Sequence, residues 1–323
     1  MMYFWLILGL ATLIVGGEFL VRGAVGIAKK FHISPLVIGM TVVSFGTSAP
    51  ELMVSLDAAM GGHPDIAVGN VIGSNIANLA LVLGLTVIIF PIVVDRNSKV
   101  VDWPMMMLAT ILFFVFSWDL IIEWWEGTIL FSILVGFTFA LVRGSRKKTK
   151  AALAASDDDE VASVKDNPML SALFLIGGLV ALYFGAGWLL DGAVEIAKFA
   201  GMDERMIGVT VVAFGTSVPE LVTSAVAAFK KQTDISVGNL IGSNIFNIMA
   251  VIGLTSIVHP IPISDKEALS WDMWWVIGIA AALLPLMVIG RKLGRFKGVL
   301  LFGSYVVYIT LVVMALQDQP PVH

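Results

Sequence analysis

The sequence contains no cysteine, and only 14% of its 323 residues are Asp, Glu, Lys or Arg. Without cysteine the chain can form no disulfide and offers no thiolate ligand to a metal. Soluble globular proteins carry about 25% charged residues. The shortage of charge therefore excludes a soluble nucleic-acid-binding protein, whose affinity would depend on many Lys and Arg contacts to phosphates.

In place of charge, the chain has long apolar stretches, and 58% of its residues are hydrophobic. A helix needs about 20 apolar residues to cross ~30 Å of hydrocarbon. We therefore predict an all-α integral membrane protein embedded in a lipid bilayer. The ten predicted transmembrane helices are 3–27, 34–60, 66–91, 103–118, 124–142, 168–199, 205–229, 235–258, 271–290 and 298–316.

The basic residues predict how these spans are oriented. Of the 20 Lys and Arg residues, 16 lie in segments that alternate spans place on the same side of the membrane. Because basic loops stay in the cytoplasm, both termini are expected outside it. The polar segment 143–167 is then a cytoplasmic linker between residues 1–142 and 168–323, each carrying five spans.

The two halves are copies of one another. Shifting the chain by 169 positions aligns 16–78 with 185–247 without a gap, and 34 of the 63 pairs are identical. Since each copy has five spans, the second enters the membrane from the opposite face. Two inverted five-helix repeats are typical of secondary transporters, whose binding sites lie near the bilayer midplane.

Each repeat interrupts its second span with the same motif. "SFGTSAPE" begins at Ser44, and "AFGTSVPE" begins at Ala213. A proline removes a backbone donor from a helix, so predicted helices 2 and 7 should be broken. Carbonyl groups near 44–47 and 213–216, including those of Ser44 and Ala213, should lose their helical partners and become candidate oxygen ligands. Non-helical backbone at this depth is tolerated only inside protein or beside a cavity.

The polar residues at and after these breaks predict a cation site. Glu51 and Glu220 supply carboxylates, and a charge at the membrane centre costs about 2.5–3.5 kcal/mol even by low estimates. Oxygen ligands without histidine suit Ca²⁺, which takes about 6–8 oxygens. The predicted neighbours carry hydroxyl or amide groups: Thr47, Ser48, Ser74, Asn78, Thr216, Ser217, Ser243 and Asn247.

The paired motifs "GTSAPE" with "GNVIGSNIAN" and "GTSVPE" with "GNLIGSNIFN" resemble the two repeats of the calcium/cation antiporters. Within that superfamily, the chain is similar to the prokaryotic sodium/calcium exchangers of the plasma (bacterial inner) membrane. The resemblance implies alternating access and exchange of Ca²⁺ for Na⁺, with Glu51 and Glu220 as shared ligands. It implies Na⁺ positions at Ser74, Asn78 and Ser243, whereas Asn247 stands where some members carry aspartate.

Other functions remain open at this point. The coupling ion could be H⁺ instead of Na⁺, or K⁺ could be required alongside Na⁺. A cation channel is the alternative from another class, although an inverted duplication favours a transporter with two access states. Apart from the predicted ion site, the sequence shows no residues that suggest a nucleophile paired with a base, so we do not predict an enzyme. We expect no cofactor beyond the transported ions, and the sequence leaves the oligomeric state open.

Overall fold

The computed structural model describes residues 2–155, 167–202, 211, 213–264, 266–290 and 292–317. Within these residues the chain is almost entirely helical. The helices are α1 (Met2–Phe31), α2 (Pro35–Thr47), α3 (Ala49–Met60), α4 (Pro64–Ile89), α5 (Ser98–Phe116), α6 (Trp124–Ala155), α7 (Pro168–Phe199), α8 (Ala213–Thr216), α9 (Val218–Phe229), α10 (Thr233–Val258), α11 (Lys266–Val288) and α12 (Arg295–Gln317).

Eight of the described helices are long and apolar enough to cross a membrane, and α2 with α3 makes a ninth if the bent pair counts as one span. Nine predicted spans thus coincide with described helices to within a few residues at most ends. The tenth, predicted for 205–229, corresponds to α8 and α9, but its first residues, 205–210, lie outside the described part of the chain.

The fifth span is longer than predicted. Helix α6 was expected to end at 142, but it continues to Ala155 and includes the basic stretch from Arg143 to Lys150. Alanine, lysine and arginine are strong helix formers, which explains why the polar extension keeps the helical conformation. The start of the predicted linker is therefore helical. Residues 156–166, which include the acidic residues at 157–160, lie outside the described residues.

Helices α4 and α10 form the centre of the molecule. In an apolar stretch of 18 residues from each helix, 78% of the residues of α4 and 83% of those of α10 are buried. In the corresponding stretch of the peripheral helix α12, only 17% are buried. Each central helix contains one π-helical turn, at Ala77–Val82 and at Asn247–Ile252. Such turns redirect side chains within a helix and are frequent at functional sites.

Helices α1 and α7 pack against each other along glycines. A Cβ on Gly9 would lie 2.8 Å from the Gly185 carbonyl oxygen, and one on Gly16 would lie 3.1 Å from the Gly178 carbonyl oxygen. Contacts move toward the start of α7 as they move toward the end of α1, so the two helices run antiparallel. The backbones approach so closely because neither helix has a side chain at these positions.

The structure also contains two short antiparallel strand pairs, which the all-α prediction did not include. Strand β1 (Ile92–Val93) pairs with β4 (Lys292–Leu293), and β2 (Ile121–Ile122) pairs with β3 (Ile261–Pro262). Both pairs join the first half of the chain to the second. Each satisfies backbone groups where a helix has ended.

Candidate functional site

The site begins with two helix breaks of the same geometry. Helix α2 ends at Thr47, α3 starts at Ala49, and their axes differ by 41°. Between them Ser48 has φ −87° and ψ 5°, and its repeat counterpart Ser217 has φ −86° and ψ 0°. Since the proline two residues later has no N–H, the carbonyls of Gly46 and Gly215 lose their helical donors. The break predicted in both repeats is thus present in α2–α3 and α8–α9.

The breaks place both glutamates in the first turn of a helix. Glu51 is the third residue of α3, Glu220 is the third residue of α9, and both side chains are 0% exposed. The two carboxylates lie close enough to repel each other electrostatically. Each helix begins with the positive end of its dipole, which offsets part of the cost of burying a negative charge there.

The carboxylate oxygens are poorly satisfied by the protein. The Ser48 hydroxyl donates to Glu220 Oε1 at 3.3 Å. Among the described residues, no other residue donates to Glu220 Oε2 or to either carboxylate oxygen of Glu51 within hydrogen-bonding geometry. Buried polar atoms are normally hydrogen-bonded, so these oxygens are available to ligate a cation.

Thr47 connects the first break to the second repeat. Its hydroxyl donates to Asn239 Oδ1 at 3.2 Å and lies 3.5 Å from the Ser243 hydroxyl. The hydroxyls of Thr47 and Ser243 also face the Glu220 carboxylate. Predicted ligands from two repeats are therefore adjacent around one carboxylate.

The remaining predicted hydroxyl and amide ligands are also buried. Ser74 and Asn78 lie one turn apart on α4, and Asn247 opens the π-helical turn of α10. Thr216 and Ser217 end the short helix α8 and begin the turn to α9. Within the described chain, no hydrogen-bond partner reaches the side-chain oxygens of Ser74, Asn78, Ser217 or Asn247.

Among the carbonyls predicted to be freed near 44–47, that of Ser44 keeps a helical partner, because Ser48 N–H donates to it at 2.9 Å, and the Thr47 hydroxyl lies 3.4 Å away. Its role as an ion ligand stays a prediction, since a carbonyl oxygen has a second lone pair. The turn stays helical up to Thr47, so the proline deprives Gly46 rather than Ser44 of its donor. The Ser44 hydroxyl lies 2.8 Å from the Gly39 carbonyl oxygen within α2 and 3.0 Å from the Asn239 carbonyl oxygen of α10, so it links these two helices. Ala213 begins α8, and its side chain lies outside the described set.

Four polar residues were missed by the sequence analysis. Asn70 donates to the Glu51 carbonyl at 3.2 Å and to Ser55 Oγ at 3.0 Å, which fixes α3 against α4. In the second repeat, Asn239 makes the corresponding bond to Ser224 Oγ at 3.1 Å. Both pairs are identical between the aligned repeats, and that identity is the signal that could have identified them.

The donor set suits a hard cation. Two carboxylates, several hydroxyls, amide oxygens and backbone carbonyls surround the breaks, and oxygen is the preferred ligand of Ca²⁺ and Na⁺. The described residues contain no group of three or more acidic, histidine or cysteine side chains placed to bind a metal. Two carboxylates balance the charge of one divalent ion, so a third acidic residue is not required for neutrality.

Comparison with known proteins agrees with this chemistry. The sequence matches the family described as "Sodium/calcium exchanger protein" over residues 1–143 and 170–314. It is 36% identical to a protein named CaxA from Alkalimonas amylolytica over 94% of this chain and 96% of that one. It is 31% identical to the sodium/calcium exchanger MaX1 of Methanosarcina acetivorans over 95% of this chain and 97% of the relative.

A solved structure has the same fold. The sodium-calcium exchanger NCX_Mj, soaked with 10 mM Na⁺ and zero Ca²⁺, superposes with a TM-score of 0.82 at 32% sequence identity, covering 96% of this chain and 98% of that one. The similarity in sequence and in structure extends over both repeats. The chain is a member of the sodium/calcium exchanger family.

Proposed function

We propose that this chain exchanges Ca²⁺ for Na⁺ by alternating access to one site between the two helix breaks. The observation that carries the proposal is the pair Glu51 and Glu220, both 0% exposed and both at the start of a helix that follows a break. The relatives named as exchangers are transporters, so we assign transport rather than catalysis to the site.

The geometry supports competition between the two ions. Glu51 and Glu220 supply two negative charges, which one Ca²⁺ neutralises. Ser74, Asn78, Ser243 and Asn247 add neutral oxygens beside them, which suit Na⁺ ions that share the same carboxylates. If both ions need the glutamates, the binding of one opposes the binding of the other, and that is the condition for antiport.

The helix packing supports ten spans in two inverted repeats. Positions that lie 169 residues apart make reciprocal contacts: Gly9 approaches Leu189, and Gly178 approaches Leu20. Because the equivalent helices α1 and α7 run antiparallel, the second repeat is inverted relative to the first. Residues 1–142 and 168–323 would then be the two repeats, joined by 143–167.

The orientation rests on charge alone. The basic residues around Lys30, Arg96, Lys147, Lys231 and Lys292 follow alternate spans. We assign that side to the cytoplasm, which leaves both termini outside it.

The direct test is uptake of radioactive calcium by proteoliposomes containing the purified protein. An outward Na⁺ gradient, with equal pH and equal K⁺ on both sides, should drive Ca²⁺ inward, while empty liposomes give the background. The same vesicles with a pH gradient at equal Na⁺ test the H⁺ alternative. Uptake that follows the pH gradient but not the Na⁺ gradient would replace Na⁺ by H⁺ as the coupling ion.

Inhibition by acid does not distinguish these alternatives. Protons compete with any cation for the two glutamate carboxylates, so Ca²⁺ uptake should fall at acid pH even if no proton is transported. Only the response to an imposed gradient identifies the coupling ion.

A further inference from the structure

A second buried carboxylate lies outside the central site. Asp102 ends the π-helical first turn of α5 and is 0% exposed. No described residue forms a hydrogen bond with either of its carboxylate oxygens. The Ser98 hydroxyl, one turn earlier, lies next to the carboxylate but outside hydrogen-bonding geometry. A buried, unpaired carboxylate is costly unless a cation or a proton neutralises it.

Asp102 lines a cavity of about 300 Å³ between α2, α5 and α6. The cavity wall carries further oxygens from Ser34, Ser145 and Asn97. Ser145 Oγ accepts from Ser34 N at 2.8 Å and donates to Ser34 Oγ at 3.2 Å, so these hydroxyls join α6 to the start of α2. The space is large enough for a small ion with several water molecules.

One lysine competes for the same carboxylate. Lys148 also lines the cavity, but its Nζ lies 3.5 Å from Asn97 Oδ1 and its side chain is solvent-exposed. Asp95 adds a second negative charge that acts on Asp102. In this conformation Lys148 therefore does not neutralise the charge of the Asp102 carboxylate.

We infer that this cavity binds a small alkali cation, Na⁺ or K⁺, through the Asp102 carboxylate. Asp102 is the one acidic residue among the described cavity-lining residues, and the charge of the solvent-exposed Asp95 is screened by water, so one positive charge is matched and a divalent ion would leave charge uncompensated. The surrounding ligands are hydroxyl and amide oxygens, which alkali cations accept. The Lys148 ammonium group competes with the cation for the Asp102 carboxylate, because Lys148 lines the same cavity. A bound cation would connect the start of α2, which leads to the break at Ser48, with α5 and α6.

The inference is tested in a protein whose central site has been disabled. In the Glu51→Gln/Glu220→Gln double variant, purified in detergent, Tm is measured in NaCl, KCl and choline chloride at constant ionic strength. We expect Tm to rise with Na⁺ or K⁺ relative to choline. Adding Asp102→Asn, which keeps the side-chain shape, should abolish that rise.

Lys148→Gln in the same background gives an independent measurement. Removing the competing ammonium group should lower the cation concentration for the half-maximal Tm shift by about two- to fivefold, the range for a partly solvated charge pair. The inference would be overturned if the Tm of the double variant were the same in alkali chloride and in choline chloride. It would also be overturned if Asp102→Asn left the Tm shift unchanged. Loss of stability in Lys148→Gln without any cation effect would show an Asp102–Lys148 ion pair instead. Because the background lacks both central carboxylates, these results are separate from the exchange assay.

Discussion

At the scale of single residues, the two intramembrane glutamates define the chemistry. A carboxylate inside a bilayer costs several kcal/mol unless it is paired, so its retention requires a compensating interaction. Glu51 and Glu220 receive only one hydrogen bond from another described side chain, that of Ser48. In the proposed mechanism, the helix N-termini and the transported cation supply the remaining compensation.

Replacing either glutamate by glutamine should abolish exchange. Glu51→Gln and Glu220→Gln each keep the shape of the side chain but remove a charge that offsets the dehydration of Ca²⁺. We expect the Na⁺-driven uptake of calcium into proteoliposomes to fall to the level of empty vesicles. Asp57→Asn, an exposed position on the same helix as Glu51, is the matched control and should transport normally. Near-normal uptake by either glutamine variant would exclude the shared site.

The buried amides of the proposed site should affect the binding of Na⁺ and of Ca²⁺ differently. Asn78→Ala removes a buried oxygen on α4 from the proposed Na⁺ ligands but leaves both carboxylates in place. We expect the half-saturating Na⁺ concentration for exchange to rise several-fold, with a smaller change for Ca²⁺. Thr86→Ala is the control, because it removes a different buried polar group, a hydroxyl, two turns later on the same helix α4. Equal losses for Na⁺ and Ca²⁺ would contradict the assignment of Asn78 to sodium.

At the scale of elements, the α1–α7 pair forms the most extensive contact between the repeats among the described helices. Glycines on both helices let the backbones touch, and close packing is what holds helices together in lipid. Position 178 on α7 has no room for a methyl group, since a Cβ there would lie 2.8 Å from the Gly16 carbonyl oxygen. At the adjacent position 177, no described atom lies within 4 Å of a Cβ.

These neighbours form a matched pair for mutation. Gly178→Ala should separate α1 from α7 and destabilise the protein by about 1–3 kcal/mol, the usual cost of overpacking. Gly177→Ala faces outward and should be neutral or slightly stabilising, because alanine favours the helix. Thermal unfolding in detergent compares the two variants directly. A lower Tm for Gly177→Ala than for Gly178→Ala would contradict the packing described here.

The elements also show where sequence patterns were sufficient. The proline and glycine of "GTSAPE" predicted a broken second span, and the break lies at Ser48 because the missing N–H belongs to Pro50. The end of α6 was misplaced by 13 residues. Loss of hydrophobicity at Arg143 marks the end of apolar sequence, whereas the helix continues because lysine and alanine favour it.

At the scale of the whole molecule, the distribution of positive charge predicts the orientation. The chain has no native cysteine, so single introduced cysteines report their accessibility without background. A cysteine at Lys147 should be protected from membrane-impermeant thiol reagents applied to intact cells. A cysteine at Gly62, in the turn between α3 and α4, should react. The reverse labelling pattern would invert the proposed topology.

The sequence by itself determined the membrane class, the duplication and the types of polar group at the two breaks. These properties depend on local composition, on the 169-residue offset and on which groups each repeat contains, and all of them are present in the linear chain. Only the tertiary structure decided which of these groups meet. Thr47 and Asn239 are 192 positions apart and share a hydrogen bond, and the Ser44 hydroxyl lies 3.0 Å from the Asn239 carbonyl oxygen. Asp102 likewise reads as an ordinary helix-end residue until α2 and α6 enclose it. Such contacts depend on helices that pack across the two repeats, and no local pattern specifies that packing.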